Sequence, residues 1–136
     1  NGSVITDDGS TLIVGESMGA RYTAFTITHD RGLTDRRVWA EVPGMAPDGC
    51  TIDAEGAIWF ADALGSQVVR VLEGGEITDR VPTPDNVFAC MLGGADGRTL
   101  FALTAAGAHP DTVDGTATGA LWQRQVSVPR TPTSRP

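Results

Sequence analysis

Apolar residues along this chain come in short runs with a period of two, broken at Gly, Asp, Asn and Pro. The clearest run is Thr23-Ala24-Phe25-Thr26-Ile27-Thr28, where Phe25 and Ile27 share one face. Runs of this kind predict strands near 3–6, 11–15, 22–28 and 37–40, then near 50–53, 57–61, 67–72 and 76–81, and finally near 87–92, 99–104 and 120–126. No segment carries the 3.6-residue period of an amphipathic helix, so an all-β fold is expected. The segment 129–136, Pro-Arg-Thr-Pro-Thr-Ser-Arg-Pro, is polar and proline-rich and reads as a frayed tail.

The strands fall into units that resemble one another. Asp8-Gly9-Ser10-Thr11-Leu12-Ile13-Val14 is matched by Glu55-Gly56-Ala57-Ile58-Trp59-Phe60-Ala61 and by Asp96-Gly97-Arg98-Thr99-Leu100-Phe101-Ala102, with the glycines 47 and 41 residues apart. Each acidic-Gly pair suits a tight turn feeding a β-branched or aromatic strand. A period in the forties with several short strands per unit is the mark of β-propeller blades. Three blades cannot close a ring, since propellers use about 4 to 8. The expectation is therefore a half-propeller of about three four-stranded blades, the third showing only three strands. Its partner should be the preceding N-terminal half of the same propeller, as a separate chain or as a segment outside this sequence, whose first strand could complete the third blade.

Composition sharpens this picture. The 17 Gly and 8 Pro are spread between the apolar runs, which places them in turns and argues against a linker. With 10 basic and 17 acidic side chains the net charge is −7, which disfavours nucleic acid and anionic membranes as partners. No apolar run reaches the ~18 residues of a membrane span and no signal-like segment opens the chain, so the expected compartment is the cytoplasm, an upstream signal aside. Cys50 and Cys90 are too few for a thiolate zinc site and are expected as buried free thiols.

The repeat also locates a candidate site. Eight residues ahead of the turn glycines lie Asn1, Asp48 and Ala89, so Asn1-Gly2 and Asp48-Gly49 are equivalent in successive blades. The first strand of a blade lines the central channel, which would make Asn1 and Asp48 neighbours around one axis. An amide oxygen and a carboxylate suit a hard divalent cation. The plainer alternative is that Pro47-Asp48-Gly49 is a turn. His29 and His109 read as surface residues, and Asp7, Asp8, Asp53, Glu55 and Asp96 as turn acids. Trp39, Trp59 and Trp122 read as core. Ser17 in Gly15-Glu16-Ser17-Met18-Gly19 fits the G-x-S-x-G pattern, but that motif needs a strand entering a helix and a hairpin is expected here.

These residues resemble the family of regucalcin (senescence marker protein), gluconolactonases and luciferin-regenerating enzyme. The likeness runs from Asn1-Gly2 to Gly93-Gly94-Ala95-Asp96-Gly97-Arg98-Thr99-Leu100-Phe101, and its most specific part is Pro47-Asp48-Gly49-Cys50-Thr51-Ile52-Asp53-Ala54-Glu55-Gly56-Ala57-Ile58-Trp59. The resemblance implies a six-bladed ring, with residues 1–128 as its C-terminal half and residues 129–136 as a Pro-rich tail. It implies a divalent cation, calcium first and zinc or another ion second, held by Asn1, Asp48 and a Glu upstream of this chain. It further implies lactonase activity on a sugar or related lactone, with Asp48 as the catalytic carboxylate or a water on the cation handling the proton. The alternative is a non-catalytic calcium- or ligand-binding propeller. A strictosidine-synthase-like propeller shares the architecture without the Asn and Asp pattern. Met91-Leu92-Gly93-Gly94 departs from the family's frequent Phe-Gly-Gly, which bears on substrate shape.

Overall fold

The computed structural model describes residues 1–107 and 118–132, so His109 and residues 133–136 lie outside the described part. Three antiparallel sheets follow one another along the chain. Strands β1 (Ser3–Ile5), β2 (Thr11–Glu16), β3 (Arg21–Ile27) and β4 (Leu33–Glu41) form the first in sequential order. Strands β5 (Pro47–Ile52), β6 (Ile58–Asp62), β7 (Gln67–Val71) and β8 (Ile77–Pro82) form the second. The third pairs β9 (Asn86–Gly93), β10 (Thr99–Ala105) and β11 (Ala120–Gln125), with β11 at an edge. These are three propeller blades, the last with three strands among the described residues.

The turns behave as the repeat requires. Gly9, Gly56 and Gly97 all have positive φ, at 72°, 78° and 73°, and their N–H groups donate to Thr6, Asp53 and Gly94. A residue with a Cβ is strained in that conformation, which explains why glycine recurs there.

The middle blade shows why its strands read as continuous apolar runs. Ile58 and Phe60 of β6 join Val69 and Val71 of β7 in a core shared with Ile13, Tyr22, Ala24 and Trp39 of the first blade. The alternate residues Trp59, Ala61 and Val68 face the other way, into a core with Val87, Leu92, Leu100 and Ala102 of the third. A sheet buried on both faces leaves no polar side to alternate with. The end blades each have one covered face. Ile5 and Val38 stay exposed on the first, and Leu103 and Leu121 on the third.

Four expectations are corrected by this packing. Trp122 is not core: it is 47% exposed, with no strand on the outer side of β11 among the described residues. Asp53 is not a simple turn acid. It is fully buried and accepts from Arg70 Nε at 2.7 Å, Trp59 Nε1 at 3.1 Å and the backbone N–H groups of Glu55 and Ala57. Pro47-Asp48-Gly49 lies inside β5, with a register irregularity between Pro47 and Cys50, so it is a bulged strand and not a turn. The start of the 129–136 segment is not frayed either. Ala54 N–H donates to Pro129, Arg130 bridges to Asp53, and Thr131 is buried, so the chain returns from the third blade to clasp the second.

Candidate functional site

The inner strands β1, β5 and β9 stand side by side, as the repeat predicts, and small residues let them approach. A Cβ on Gly2 would lie 2.3 Å from the Asp48 carbonyl oxygen, and one on Gly49 would lie 2.8 Å from Ala89 Cα. No larger residue fits at either contact. The equivalence of Asn1-Gly2, Asp48-Gly49 and Ala89 is thus a contact between neighbouring blades. Asn1 is exposed, its amine donating to Gly15 O at 2.7 Å, and Asp48 is half-buried.

Asp48 is held through the residues before it. Ser17 sits in a three-residue 3-10 turn between β2 and β3, and its hydroxyl donates to the Pro47 carbonyl at 2.6 Å. That occupied hydroxyl and the missing helix dispose of a nucleophile elbow. On the other side the buried Asp62 carboxylate accepts from Ala46 N–H and Gln67 Nε2, each at 3.0 Å. Neither residue carries a motif in the sequence. Their roles depend on side chains 30 and 16 residues from their acceptor or donor.

The 3-10 turn is anchored by Glu16, whose carboxylate binds Arg21 at 2.7 Å and the Thr23 hydroxyl. Those bonds, the Arg21 one first, lower its pKa from the usual 4.5 to about 2. A folded-state pKa below the unfolded one gives stability that is complete above the unfolded value and lost as pH falls through the folded one. Thermal unfolding of the wild type should therefore lose stability between about pH 4.5 and pH 2, and Glu16→Gln should flatten that part of the profile. Parallel profiles for the two proteins would contradict this role.

Below Asn1 and Asp48 on the same strands, a groove of about 450 Å³ crosses the inner wall, lined by Val4, Ile5, Cys50, Ile52 and Met91 among others. Met91 on that wall puts the departure from Phe-Gly-Gly where a ligand's shape would be felt. A smaller depression of about 140 Å³ lies between Pro82 and Trp122. It has no carboxylate in its lining and sits away from the inner strands.

Both thiols are free, Cys90 buried and Cys50 half-buried. Burial pushes Cys50 up to about 11 and Cys90 well above the ordinary thiol range, so both remain protonated at neutral pH and are poor metal ligands. The donors that fit a cation are the hard oxygens of Asn1 and Asp48. No group of three or more His, Cys, Asp or Glu converges among the described residues. His29 is exposed and outside the site.

Comparison with known proteins agrees with this arrangement. A family model described as "SMP-30/Gluconolactonase/LRE-like region" matches residues 1–106. A pentonolactonase of Haloferax volcanii is 34% identical over 102 residues, which is 70% of this chain and 35% of that protein. Among solved structures, a luciferin-regenerating enzyme superposes with a TM-score of 0.81 at 22% identity, covering 96% of this chain and 46% of that one. A regucalcin from Agrobacterium tumefaciens, described as a calcium-binding protein, gives 0.78 at 21% identity, with 96% and 47% coverage. The chain thus spans less than half the length of each of these proteins, and corresponds to three blades of their six-bladed ring.

Proposed function

Because the chain belongs to the SMP-30/gluconolactonase/LRE-like family, we propose that it forms half of a cation-dependent lactonase opening the cyclic ester of a sugar-derived acid. The observation that supports this reading is the close approach of the inner strands at Gly2, where an added Cβ would lie 2.3 Å from the Asp48 carbonyl oxygen, so that Asn1 and Asp48 start from adjoining backbone. The relative named a pentonolactonase supports the reaction class.

Asn1 and Asp48 would hold the cation, calcium being the first choice for two hard oxygen donors and zinc a second. When bound, the ion supplies Lewis-acid polarisation of the lactone carbonyl. Asp48 contributes negative charge and a carboxylate able to take a proton from the attacking water. The backbone just before it is held by Ser17 at the Pro47 carbonyl and by Asp62 at the Ala46 N–H. The apolar wall formed by Val4, Ile5, Ile52 and Met91 would limit water beside the ring of the substrate.

The partner in this reading is the N-terminal half of the same ring. It would cover the apolar outer faces carrying Val38 at one end and Leu103 and Leu121 at the other. A strand laid along the edge of β11 that is unpaired among the described residues would give the third blade the four strands of its neighbours. Nucleic acid and membranes are not expected as partners, given the charge of −7.

The test uses the complete protein and a panel of pentono- and gluconolactones, with acid release followed by a pH indicator. Hydrolysis should stop on chelation with EDTA and return on adding calcium. Hydrolysis that survives full chelation would remove the cation from the reading. Calcium binding without turnover of any lactone would instead favour a non-catalytic cation-binding propeller.

A further inference from the structure

The strand pairing of β5 breaks where Asp48 sits. Pro47 pairs with Asp62 and Cys50 with Phe60, so three steps along β5 lie opposite two along β6. The extra residue makes a bulge, which re-aims a side chain while giving up local pairing. Asp48 and Gly49 thus have no cross-strand partner on β6 to set their orientation. The segment leading into them has to supply it.

That segment is gripped at Ala46. Its carbonyl accepts from Ala63 N–H at 3.0 Å, and its own N–H donates to Asp62 Oδ1 at 3.0 Å. Ala46 is buried, so loss of the carboxylate would strand a buried donor. Asp62 is itself immobilised. It is 2% exposed, its second oxygen accepts from Gln67 Nε2 at 3.0 Å, and Gln67 Oε1 accepts in turn from Arg80 Nη1 at 3.0 Å. The turn after β6 is shaped around this carboxylate: a Cβ on Gly65 would lie 2.4 Å from Asp62 Oδ2. Pro47 confines the residue before it to extended backbone, so fixing Ala46 leaves the chain few ways to turn before Asp48.

We propose that Asp62 is a positioning residue of the channel site: through Ala46 N–H it fixes the bulge that presents the Asp48 carboxylate to a bound cation. This rests on the reading of Asp48 as a cation ligand. Asp62 acts through Ala46 and Pro47, not by contact with the ion. Loss of support behind a metal ligand costs about 10- to 100-fold in metal affinity.

The experiment is a calorimetric calcium titration, with melting temperatures, of the complete protein and its variants. Asp62→Ala should bind calcium about 10-fold more weakly. Asp62→Asn keeps an oxygen for Ala46 N–H and should recover most of that affinity. Asp53→Asn weakens the buried network at the far end of β5, and should lower the melting temperature while leaving the calcium affinity of the folded protein unchanged. Gln67→Ala, which loosens the Asp62 carboxylate without removing it, should show a smaller loss of affinity than Asp62→Ala. If Asp62→Ala does not fold, Gln67→Ala decides alone, and unchanged affinity there overturns the proposal. Unchanged affinity in a folded Asp62→Ala, while Asp48→Ala loses calcium, overturns the role of Asp62 and leaves Asp48 standing. An equal loss in Asp62→Asn would assign the effect to charge, and an equal loss in Asp53→Asn to general loosening of the fold; either removes the positioning role. If the unsubstituted protein binds no calcium, or Asp48→Ala binds it as well, the reading of Asp48 falls and this one with it.

Discussion

Replacing Asp48 by Ala in the complete protein is expected to abolish stoichiometric cation binding and to lower lactone kcat/KM by about 10²–10⁴-fold, the range associated with losing a positioned acid or base. The fold should survive. Asp48 is half-buried in a bulged part of β5, and the neighbouring backbone is held by Ser17 and Asp62 through Pro47 and Ala46. Its side chain makes no hydrogen bond among the described residues, so the melting temperature should move little. Calorimetry and initial rates on the same preparation separate the two effects. Full lactone hydrolysis by Asp48→Ala would end its assignment, and loss of activity only in proportion to loss of folded protein would make it structural.

The second large effect concerns stability. Asp53 lies fully buried beneath the turn at Gly56 and collects four donors: Arg70, the Trp59 indole, and the N–H groups of Glu55 and Ala57. Arg70, also largely buried, extends the network to Thr78 at 2.9 Å and to Glu55 at 2.8 Å. Asp53→Ala leaves the largely buried guanidinium with only the exposed Glu55 as counter-charge, together with three orphaned N–H donors, and should destabilise the protein by about 3–5 kcal/mol. Asp53→Asn keeps acceptor oxygens but not the charge and should lose less. Urea unfolding at neutral pH measures both, and a loss below about 1 kcal/mol for the Ala variant would show that the network contributes little. Arg70 with Glu55 is a different case: Glu55 is 63% exposed, so its share of the network is small.

Much of this architecture is legible in the chain because a propeller repeats itself. The turn glycines at 9, 56 and 97 adopt the positive φ their spacing implies, and the eleven described strands fall close to where alternation puts them. The boundaries that shifted did so for local reasons. β4 starts at Leu33, ahead of the expected 37, because the chain passes through a left-handed Asp35 and pairs irregularly with β3. β5 starts at Pro47 because the Pro-Asp-Gly triplet is absorbed as a bulge, while the turn falls earlier at Gly44 with φ 76°. A Pro-Asp-Gly triplet has the composition of a turn, and only its neighbours decide whether it becomes one.

The candidate site divides in the same way. Asn1 and Asp48 are visible because the repeat places them at equivalent positions, and Gly2 and Gly49 confirm the equivalence by packing against the next inner strand. Ser17 and Asp62 carry no such mark. Their parts are set by a hydroxyl reaching Pro47 and a carboxylate reaching Ala46. Trp122 and Asp53 reversed their expected environments for a related reason: exposure depends on which strand lies alongside.

By itself, then, the sequence determined the all-β class, the blade period, the turns and the ring position of Asn1 and Asp48, since those follow from local conformational preference and its repetition. Only the tertiary structure decided which polar side chains are buried, which strands carry an open edge and which residues hold Asp48. Those outcomes depend on contacts between blades far apart in the chain, where one glycine's missing Cβ or one neighbouring strand changes what a side chain can reach.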